Sequence, residues 1–288
     1  MEISKLHQLF TKERRYLKNV SVHTLDWYKY SFKAFEPYVA TAGDPKELRA
    51  ALKTAVMAFV ESKRKPITIN GYVRALNAFL RWASEEGHIS ELIRLDFLHQ
   101  DDRLIETLSK EQMKRLLSWR PKTFAEHRLQ VLVYLLLDTG LRISEALSIR
   151  REELDLDNML VTVRGKGGKF RALPFSFEMR KALFRWTQRH SFPLVFPTIQ
   201  GCMVNQRNLL RDLKWLQNQV GITGVRFSPH TFRHTFAVAY LRRGGNVFYL
   251  QKMLGHSTLE MTNRYVRSLG TEDLQAVHNG LSVLTKRG

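Results

Sequence analysis

The stretch Ser228-Pro-His-Thr-Phe-Arg-His-Thr-Phe-Ala-Val-Ala-Tyr-Leu-Arg-Arg243 decides how this chain is interpreted. Serine is a favoured N-cap and proline a favoured first helical residue, so the pattern predicts a helix from Pro229 to about Arg243, before two glycines. Three aromatic residues spaced four apart form the side that is predicted to lie in the core: Phe232, Phe236 and Tyr240.

His230 and Arg233 are three residues apart and share another face of this helix. The helix therefore presents an imidazole and a guanidinium together near its N-terminus. That end also has free backbone amides and a partial positive charge, and both favour an anion.

The segment that follows brings two more polar side chains towards the same place. A short apolar helix is predicted to end at Gly255, directly before His256. Ser257-Thr-Leu-Glu260 is a capping-box pattern that predicts the start of another helix, with Tyr265 two turns along it. We expect His256, at the corner, and Tyr265, on the helix, to converge on one site.

Two further candidates lie upstream. Arg142 precedes a short predicted helix, and Lys166 lies in a glycine-rich turn between two predicted strands. Each has an ordinary structural interpretation, since Arg142 could simply pair with Glu145 and the turn could be only a hairpin. A lone tyrosine or histidine on a helix is also usually structural, so no single residue indicates catalysis.

The combination, however, is what metal-free phosphoryl transfer requires. The transition state spreads charge over the non-bridging oxygens, and two arginine forks and two histidine donors suit those oxygens. Free tyrosine has a pKa near 10, so on the order of one in a thousand is ionised at pH 7. Neighbouring guanidiniums and an imidazole are expected to lower that pKa or to accept the proton. A lysine on a turn can then protonate the leaving alkoxide.

The first third of the chain is predicted to be all-helical. One helix is expected to be capped by Ser21 or Thr24, a second begins at Asp44-Pro45, and a third runs from about Thr68 to Glu86. Packing their apolar faces together leaves five cations for solvent or for phosphates, and a solvated surface is the ordinary reading of such a cluster. These cations are Lys63, Arg64, Lys65, Arg74 and Arg81.

The pattern predicts two domains, residues 1–97 and 107–288, joined by a linker at 98–106 that has no clean periodicity. A capping box at Ser109–Gln112 begins the second domain's first helix, and another helix covers about Ala125–Asp138. Strand composition is confined to 152–174, which predicts a small antiparallel sheet in a mainly α fold.

Charge favours a nucleic-acid partner. The 288 residues have a formal net charge of +19, with RNA and anionic membrane as alternatives to DNA. A single cysteine, Cys202, rules out an internal disulfide and fits a reducing compartment. The N-terminus lacks a signal peptide's apolar stretch, and the apolar run Val131–Leu137 is too short for a membrane span, so a cytoplasmic, nucleoid-associated protein is expected.

Five blocks in order resemble the tyrosine recombinases, also called phage integrases. They are Thr139-Gly-Leu-Arg-Ile-Ser-Glu-Ala146, the Gly165-Lys-Gly167 hairpin, His230-Thr-Phe-Arg-His-Thr-Phe236, Leu254-Gly-His-Ser257 and Arg264-Tyr265. The resemblance spans essentially all of Thr107–Leu269. Ile69–Ala83 resembles the family's N-terminal core-binding domain, a four-helix-type bundle, and the chain is similar to Xer-like or transposon-encoded members that have no arm-binding domain.

The resemblance implies a role at each matching position. Arg142 and Arg233 match the arginines that hold the scissile phosphate, and His256 matches a further phosphate donor. Lys166 matches the lysine that protonates the departing 5′-oxygen, and His230 matches a general acid or base. Tyr265 matches the nucleophile, which forms a 3′-phosphotyrosine and releases a 5′-hydroxyl.

The resemblance also implies partners. Because the covalent intermediate conserves the bond energy, neither metal, ATP nor another cofactor is expected. The expected partner is double-stranded DNA that carries a specific recombination site and is clamped between the two domains. No membrane partner is expected. The protein is expected to be a monomer or weak dimer when free and a homo-tetramer on DNA, with 272–284 as the segment exchanged between subunits, and a second recombinase or an accessory protein remains open.

Three rival interpretations are open at this point. A metal enzyme is suggested by His230 and His234, four apart on a helix, but Arg233 between them would repel a cation and the metalloprotease glutamate is absent. A non-catalytic DNA-binding protein would need the basic bundle and none of the five blocks. A type IB topoisomerase would share the phosphotyrosine chemistry, although the small size and the core-binding helix favour a recombinase.

Overall fold

A computed structural model describes residues 2–40, 44–100, 105–165, 168 and 170–281. The chain divides into two compact units, Met1–Arg103 and Leu104–Gly288. None of the helices within the described ranges combines the length and the apolar composition that a bilayer crossing requires.

The first unit contains four helices in its described part. They are α1 (Ile3–Tyr16), α2 (Val22–Val39), α3 (Pro45–Glu61) and α4 (Pro66–Glu85). Ser21 caps α2 by accepting from the Thr24 amide, and Asp44 caps α3 by accepting from two amides. The predicted starts of α2 and α3 are thereby confirmed. The helix α1 had no predicted start, because its N-cap position, Glu2, makes no side-chain cap.

An aromatic core holds these helices together. Phe10, Phe35 and Phe79 are essentially inaccessible to solvent, and Phe10 meets Phe79 edge-on with ring centroids 5.7 Å apart. After α4 the chain runs extended along the unit, where Asn77 and Asn70 each form paired hydrogen bonds with the backbone of Leu95 and Leu98. The chain as far as Leu98 therefore belongs to the packing of this unit.

The second unit is also mainly helical. Its described helices are α5 (Lys110–Ser118), α6 (Phe124–Thr139), α7 (Ile143–Ser148), α8 (Phe177–Thr187), α9 (Gln206–Gln219), α10 (Pro229–Arg242), α11 (Val247–Leu254), α12 (Glu260–Val266) and α13 (Thr271–Leu281). The predicted capping box is present at α5, where Ser109 and Gln112 bond each other's backbone amides. Ser228 caps α10 as predicted, with Pro229 in the first turn.

A three-stranded antiparallel sheet lies between α7 and α8. Strands β1 (Leu154–Asp155), β2 (Leu160–Arg164) and β3 (Phe170–Pro174) pair in that order, with Val161 opposite both Leu154 and Leu173. Val161 and Leu173 are fully buried, so one face of the sheet lies on the core. The predicted mainly α fold with a small antiparallel sheet is confirmed.

The helix α10 positions the rest of the unit. It packs against α6, α11, α12 and α13. Phe232 is completely buried in the larger core, Phe236 joins a second cluster with Leu250, Leu254 and Tyr265, and Tyr240 packs on that cluster's edge. The predicted aromatic stripe therefore faces inward, with Tyr240 only partly buried.

The capping box predicted at Ser257–Glu260 is wrong. The helix α12 begins at Glu260, and its N-cap is Leu259, which makes no side-chain cap. The Ser257 hydroxyl donates instead to the Met261 sulfur at 3.7 Å, while the Leu259 carbonyl accepts the first amides of the helix. The chain needs the intervening residues to turn the corner after Gly255, so the serine lies two residues too early.

Candidate active site

Arg233 is the buried centre of the site. Its side chain leaves α10 in the second turn and is 6% exposed. Its guanidinium donates to the Gly140 carbonyl at 2.5 Å and to the Leu254 carbonyl at 2.6 Å, and lies 3.1 Å from His256 Nε2. One side chain therefore joins the end of α6, the end of α11 and the corner after it.

Gly140 makes this approach possible. It ends α6 in a left-handed conformation, φ 64°, and a Cβ there would lie 2.3 Å from the Phe236 ring. Because Gly140 packs directly on α10, its carbonyl reaches Arg233 on the same helix. The turn that follows places Arg142 immediately before α7.

Arg142 faces the same corner. Its guanidinium donates to the Gly255 carbonyl at 3.1 Å and to Glu145 Oε1 at 3.0 Å. The pairing with Glu145 that an ordinary structural reading of Arg142 predicts is therefore present, together with a contact to the corner that this reading does not predict. About a third of the Arg142 side chain remains exposed, at 34%, and this part is open to a ligand.

Glu145 and Arg171 form a charged pair beneath Arg142 that sequence reasoning missed. Arg171, on β3, donates to both Glu145 oxygens, at 3.0 and 2.9 Å, and to the Met253 carbonyl. Burial opposes the charge on Glu145, but the hydrogen bonds and charges of Arg171 and Arg142 outweigh it and lower the pKa of this carboxyl. No periodicity singles out Arg171, since it alternates along a strand like any surface residue.

His256 occupies the corner as predicted, but its ring is already engaged. Nδ1 lies 2.8 Å from the Thr262 hydroxyl and Nε2 lies 3.1 Å from Arg233. A guanidinium only donates, so Nε2 accepts and the ring hydrogen belongs on Nδ1. Burial and the charges of Arg233 and Arg142 lower the His256 pKa to about 4, which keeps the ring neutral.

Tyr265 lies against this set. It is 2% exposed, its hydroxyl is 3.0 Å from His234 Nδ1, and its ring lies parallel to that of His256. Burial raises the pKa of the Tyr265 hydroxyl, and Arg233, Arg264 and Arg142 oppose that effect only in part. The expected lowering of this pKa is therefore wrong for the protein without DNA, because desolvation of the phenolate outweighs the nearby cations.

The other predicted residues are placed less completely. His230 is the exposed member of the group, and burial together with the charges of Arg226, Arg233, Arg264 and Arg142 lowers its pKa. Lys166 lies outside the described residues. The structure thus brings Arg142, Arg233, His256 and Tyr265 together and sets His230 within reach of the same charges.

His234 is the contact that the sequence motifs did not assign. It follows Arg233 on α10 and lies one turn after His230, so its spacing was the available signal. Within the described ranges, no group of three or more histidine, cysteine, aspartate or glutamate side chains could hold a metal ion. His230 and His234 belong instead to a site rich in arginine.

The five basic residues predicted in the first unit are all exposed. They lie where α3 ends and along α4, and Lys63 adopts a left-handed backbone, φ 57°. The Arg64 guanidinium lies 4.8 Å from the centre of the Phe59 ring, and that of Arg74 lies 5.6 Å from Phe97. Cation–π packing therefore fixes two of these five cations on the surface.

The chain is similar to known proteins along most of its length. The phage integrase family profile matches residues 106–272. Tyrosine recombinase XerA of Pyrococcus furiosus is 30% identical over 87% of this chain and 85% of its own length. XerC of Xanthomonas campestris is also 30% identical, over 94% of this chain and 86% of its own length.

Solved structures show the same fold. A Tn1549 transposon integrase in complex with a circular intermediate DNA superposes with a TM-score of 0.77 at 21% identity, over 96% of this chain and 99% of the integrase. The XerH site-specific recombinase bound to its difH substrate gives 0.74 at 20% identity, over 98% and 85%. With the family profile covering more than half of the sequence, the chain belongs to the phage integrase family, the tyrosine recombinases.

Proposed function

We propose that this protein is a site-specific DNA recombinase that cuts and rejoins strands through a covalent bond between Tyr265 and a backbone phosphate. The observation that carries the proposal is the position of the Tyr265 hydroxyl, 3.0 Å from His234 Nδ1. The positive charges of Arg233, Arg264 and Arg142 act on the same hydroxyl and favour its ionised form. The scissile phosphate is proposed to bind at Arg142 and Arg233, beside this hydroxyl.

The remaining groups supply the rest of the reaction. Arg142 and Arg233 hold the non-bridging oxygens, since each guanidinium has five donors and uses only some of them on the protein. His256 is assigned as a third phosphate donor, which requires its Nε2 to leave Arg233 and to carry a hydrogen, through a change of tautomer or protonation of the ring. Lys166 protonates the departing 5′-oxygen, and His230 is the residue to which the family resemblance gives acid–base duty.

The energy of the cut bond stays in the protein–DNA linkage. A phosphotyrosine diester replaces a phosphodiester, and the 5′-hydroxyl of a partner strand then attacks it. The proposed cycle therefore needs neither ATP nor a metal ion, and its electrostatic stabilisation comes from fixed arginines.

The partner is double-stranded DNA that carries a specific recombination site. Relatives in the solved structures are bound to such DNA, namely XerH to difH and lambda integrase to a COC′ core site. We assign residues 1–97 as the core-binding domain, 98–106 as the linker and 107–288 as the catalytic domain. Lys63, Arg64, Lys65, Arg74 and Arg81 contact DNA phosphates in this assignment.

The active assembly is proposed to be a homo-tetramer on two DNA sites. It forms from free monomers or weak dimers in the cytoplasm. A second recombinase or an accessory protein is a further candidate partner. The helix α13 and the residues after it, 272–284, are assigned to the exchange between subunits. The part of this segment beyond 281 lies outside the described residues.

A trapped covalent adduct tests the function. Incubating the protein with a nicked suicide duplex from a mapped site should give a protein–DNA adduct that survives denaturation, and Tyr265→Phe should abolish it because the ring keeps its place without the nucleophile. Tyr240→Phe, on the same cluster, is the control and should form adduct at the wild-type rate. Failure of the wild type on a verified site would contradict the proposal, and relaxation of plasmids that lack any site would indicate a topoisomerase.

A further inference from the structure

Among the described side chains, His234 is the one that makes a hydrogen bond to the Tyr265 hydroxyl, and Arg233 is a cation whose charge acts on the same group. Its Nδ1 lies 3.0 Å from the oxygen, and the two rings are 5.6 Å apart at 55°. The histidine is held on α10 directly after Arg233, and the tyrosine is buried in the second turn of α12. Both ends of this contact are therefore fixed by packed helices.

The direction of the hydrogen bond follows from the neighbours. Arg233 only donates, and Arg264 lies over the Tyr265 ring at 5.5 Å as a second cation. The hydroxyl hydrogen is repelled from both, and its available acceptor is the imidazole nitrogen. Burial and the charges of Arg264, His230 and Arg233 lower the His234 pKa to about 4, so the ring is neutral and has a lone pair to offer.

We infer that His234 is a catalytic residue of the recombination reaction, the base that accepts the Tyr265 proton during cleavage and returns it during rejoining. This inference rests on the proposed function, because it assigns a step of that reaction. His230, which the family resemblance links to acid–base duty, is exposed on the preceding turn and makes no hydrogen bond with Tyr265 in the described part of the chain.

The step balances as follows. The Tyr265 O–H bond breaks and an N–H bond forms at His234 Nδ1, while the phenolic oxygen bonds to phosphorus and the bond from phosphorus to the 5′-oxygen breaks. The 5′-oxygen takes a proton from Lys166, the proposed acid. Rejoining reverses each transfer, so the protonated imidazole returns its proton to the departing phenolate.

The DNA phosphate itself makes His234 a stronger base. In the free site, the charges of Arg264 and Arg233 oppose a proton on the His234 imidazole, and so does His230 when it is protonated. A phosphodiester anion bound beside Arg233 offsets that charge and stabilises a protonated imidazole. The proton therefore stays on Tyr265 until DNA is in place.

His234→Asn tests this assignment, because the asparagine carbonyl oxygen stands near the position of Nδ1 and accepts the same hydrogen bond without serving as a base. On a nicked duplex from a mapped site at pH 7, we expect cleavage about 10²-fold slower than wild type with unchanged DNA affinity, the size typical of a lost general base. The rate should rise nearly tenfold per pH unit up to pH 9, because ionisation of Tyr265 then supplies the nucleophile.

A substrate with a bridging 5′-sulfur separates base from acid, since a thiolate leaves without a proton. It should restore cleavage by Lys166→Ala and should not restore cleavage by His234→Asn. The matched control is His127→Asn, on α6 of the same unit, which should cleave like the wild type. Cleavage by His234→Asn within threefold of wild type, faster than wild type, or rescued by the sulfur substrate would overturn the assignment.

Two further measurements keep the test decisive. If His234→Asn melts below the assay temperature, long-range ¹H–¹⁵N spectra of the wild-type imidazoles replace it: an unprotonated His234 Nδ1 at pH 7 supports the assignment, and a protonated Nδ1 overturns it. Absence of any adduct from the wild type itself would instead contradict the proposed recombinase function, and so is distinguishable from failure of the base.

Discussion

Glu145 shows most clearly how single residues support the site. It is a carboxylate 6% exposed, and it bonds the Arg142 amide, the Arg142 guanidinium and both terminal nitrogens of Arg171. Without it, two guanidiniums would face each other in a partly buried position. The carboxylate therefore fixes the Arg142 side chain and ties β3 to α7.

Glu145→Gln should lower the free energy of unfolding by about 3 kcal/mol, since breaking a buried pair leaves uncompensated charge. Urea unfolding at pH 7 measures this. Glu152→Gln is the control, because Glu152 pairs with Arg150 at 3.0 Å but is 73% exposed, and its loss should change stability by less than about 1 kcal/mol. Equal effects for the two variants would mean that burial of Glu145 adds nothing.

His7 makes the first unit sensitive to acid. Its ring stacks on Phe32 with centroids 4.0 Å apart, and burial, with a contribution from Lys29, lowers its pKa to about 4. In the unfolded chain the His7 pKa is about 6.5, so the unfolded state takes up a proton first as the pH falls. The stabilising contribution of the buried neutral ring is therefore complete above pH 6.5 and is lost as the pH falls towards 4.

The expected loss from His7 is about 2–3 kcal/mol between pH 7 and pH 4. His7→Leu should remove that part of the pH dependence, measured as unfolding free energy at several pH values, whereas His23→Leu, at an exposed position, should keep it. An unchanged pH profile in His7→Leu would show that the imidazole is not buried neutral.

At the residue scale, four of the side chains predicted from the sequence lie together in the structure: Arg142, Arg233, His256 and Tyr265. The position of Arg233 on its helix and the corner at His256 indicated two side chains that meet, because helix geometry and a glycine turn are local. Glu145–Arg171 and the His234–Tyr265 bond were not predicted, since they join residues 26 and 31 positions apart across packed elements. The Tyr265 pKa was misjudged for a related reason: burial depends on the whole core.

At the scale of elements, turns control where the arginines point. Gly140 and Gly255 both end helices in the left-handed region, φ 64° and 61°, and each offers a carbonyl to a site arginine. These two carbonyls fix Arg142 and Arg233 relative to α6 and α11. The site geometry is therefore set by helix ends as much as by side chains.

Gly140→Ala should destabilise the protein by about 2–4 kcal/mol, because the methyl group would meet Phe236 at 2.3 Å in a strained backbone conformation. Gly71→Ala is the matched change within α4, where a Cβ meets nothing within 4 Å, and should stabilise by about 0.5–1 kcal/mol. Thermal melting distinguishes the two. The same sign for both variants would contradict the packing described at Gly140.

Element boundaries were predictable where a cap or a proline marks them. Ser21, Asp44, Ser109 and Ser228 each accept the expected backbone amide. The start of α1 has no such residue, and Ser257 has the right pattern in the wrong place, because the turn after Gly255 needs more chain than a capping box allows. Tertiary packing decided both cases.

At the scale of the whole molecule, the charge of +19 dominates encounters with DNA. Counterions released from phosphates make binding steeply dependent on salt, with a slope close to −0.9 for each phosphate contacted. This term is independent of DNA sequence, so it brings the protein to DNA before any specific site is recognised.

The affinity for a duplex should fall by about 10³-fold or more between 50 and 200 mM salt if six or more phosphates are contacted. Replacing Lys63, Arg64 and Lys65 with glutamine should reduce the slope, measured by fluorescence anisotropy, by about 3. The same three-charge change at Lys12, Lys18 and Lys46 is the control. Equal slopes for both triple variants would show that Lys63, Arg64 and Lys65 do not contact DNA phosphates.

Tyr265 has one more consequence for a protein that works among nucleotides and RNA. Because the side chain is 2% exposed, we expect its hydroxyl to react only with a phosphate that is bound at Arg142 and Arg233. ATP, RNA and free nucleotides should therefore be poor substrates. The packing of α12 against α10 and α11 therefore limits the reactivity of the protein without DNA.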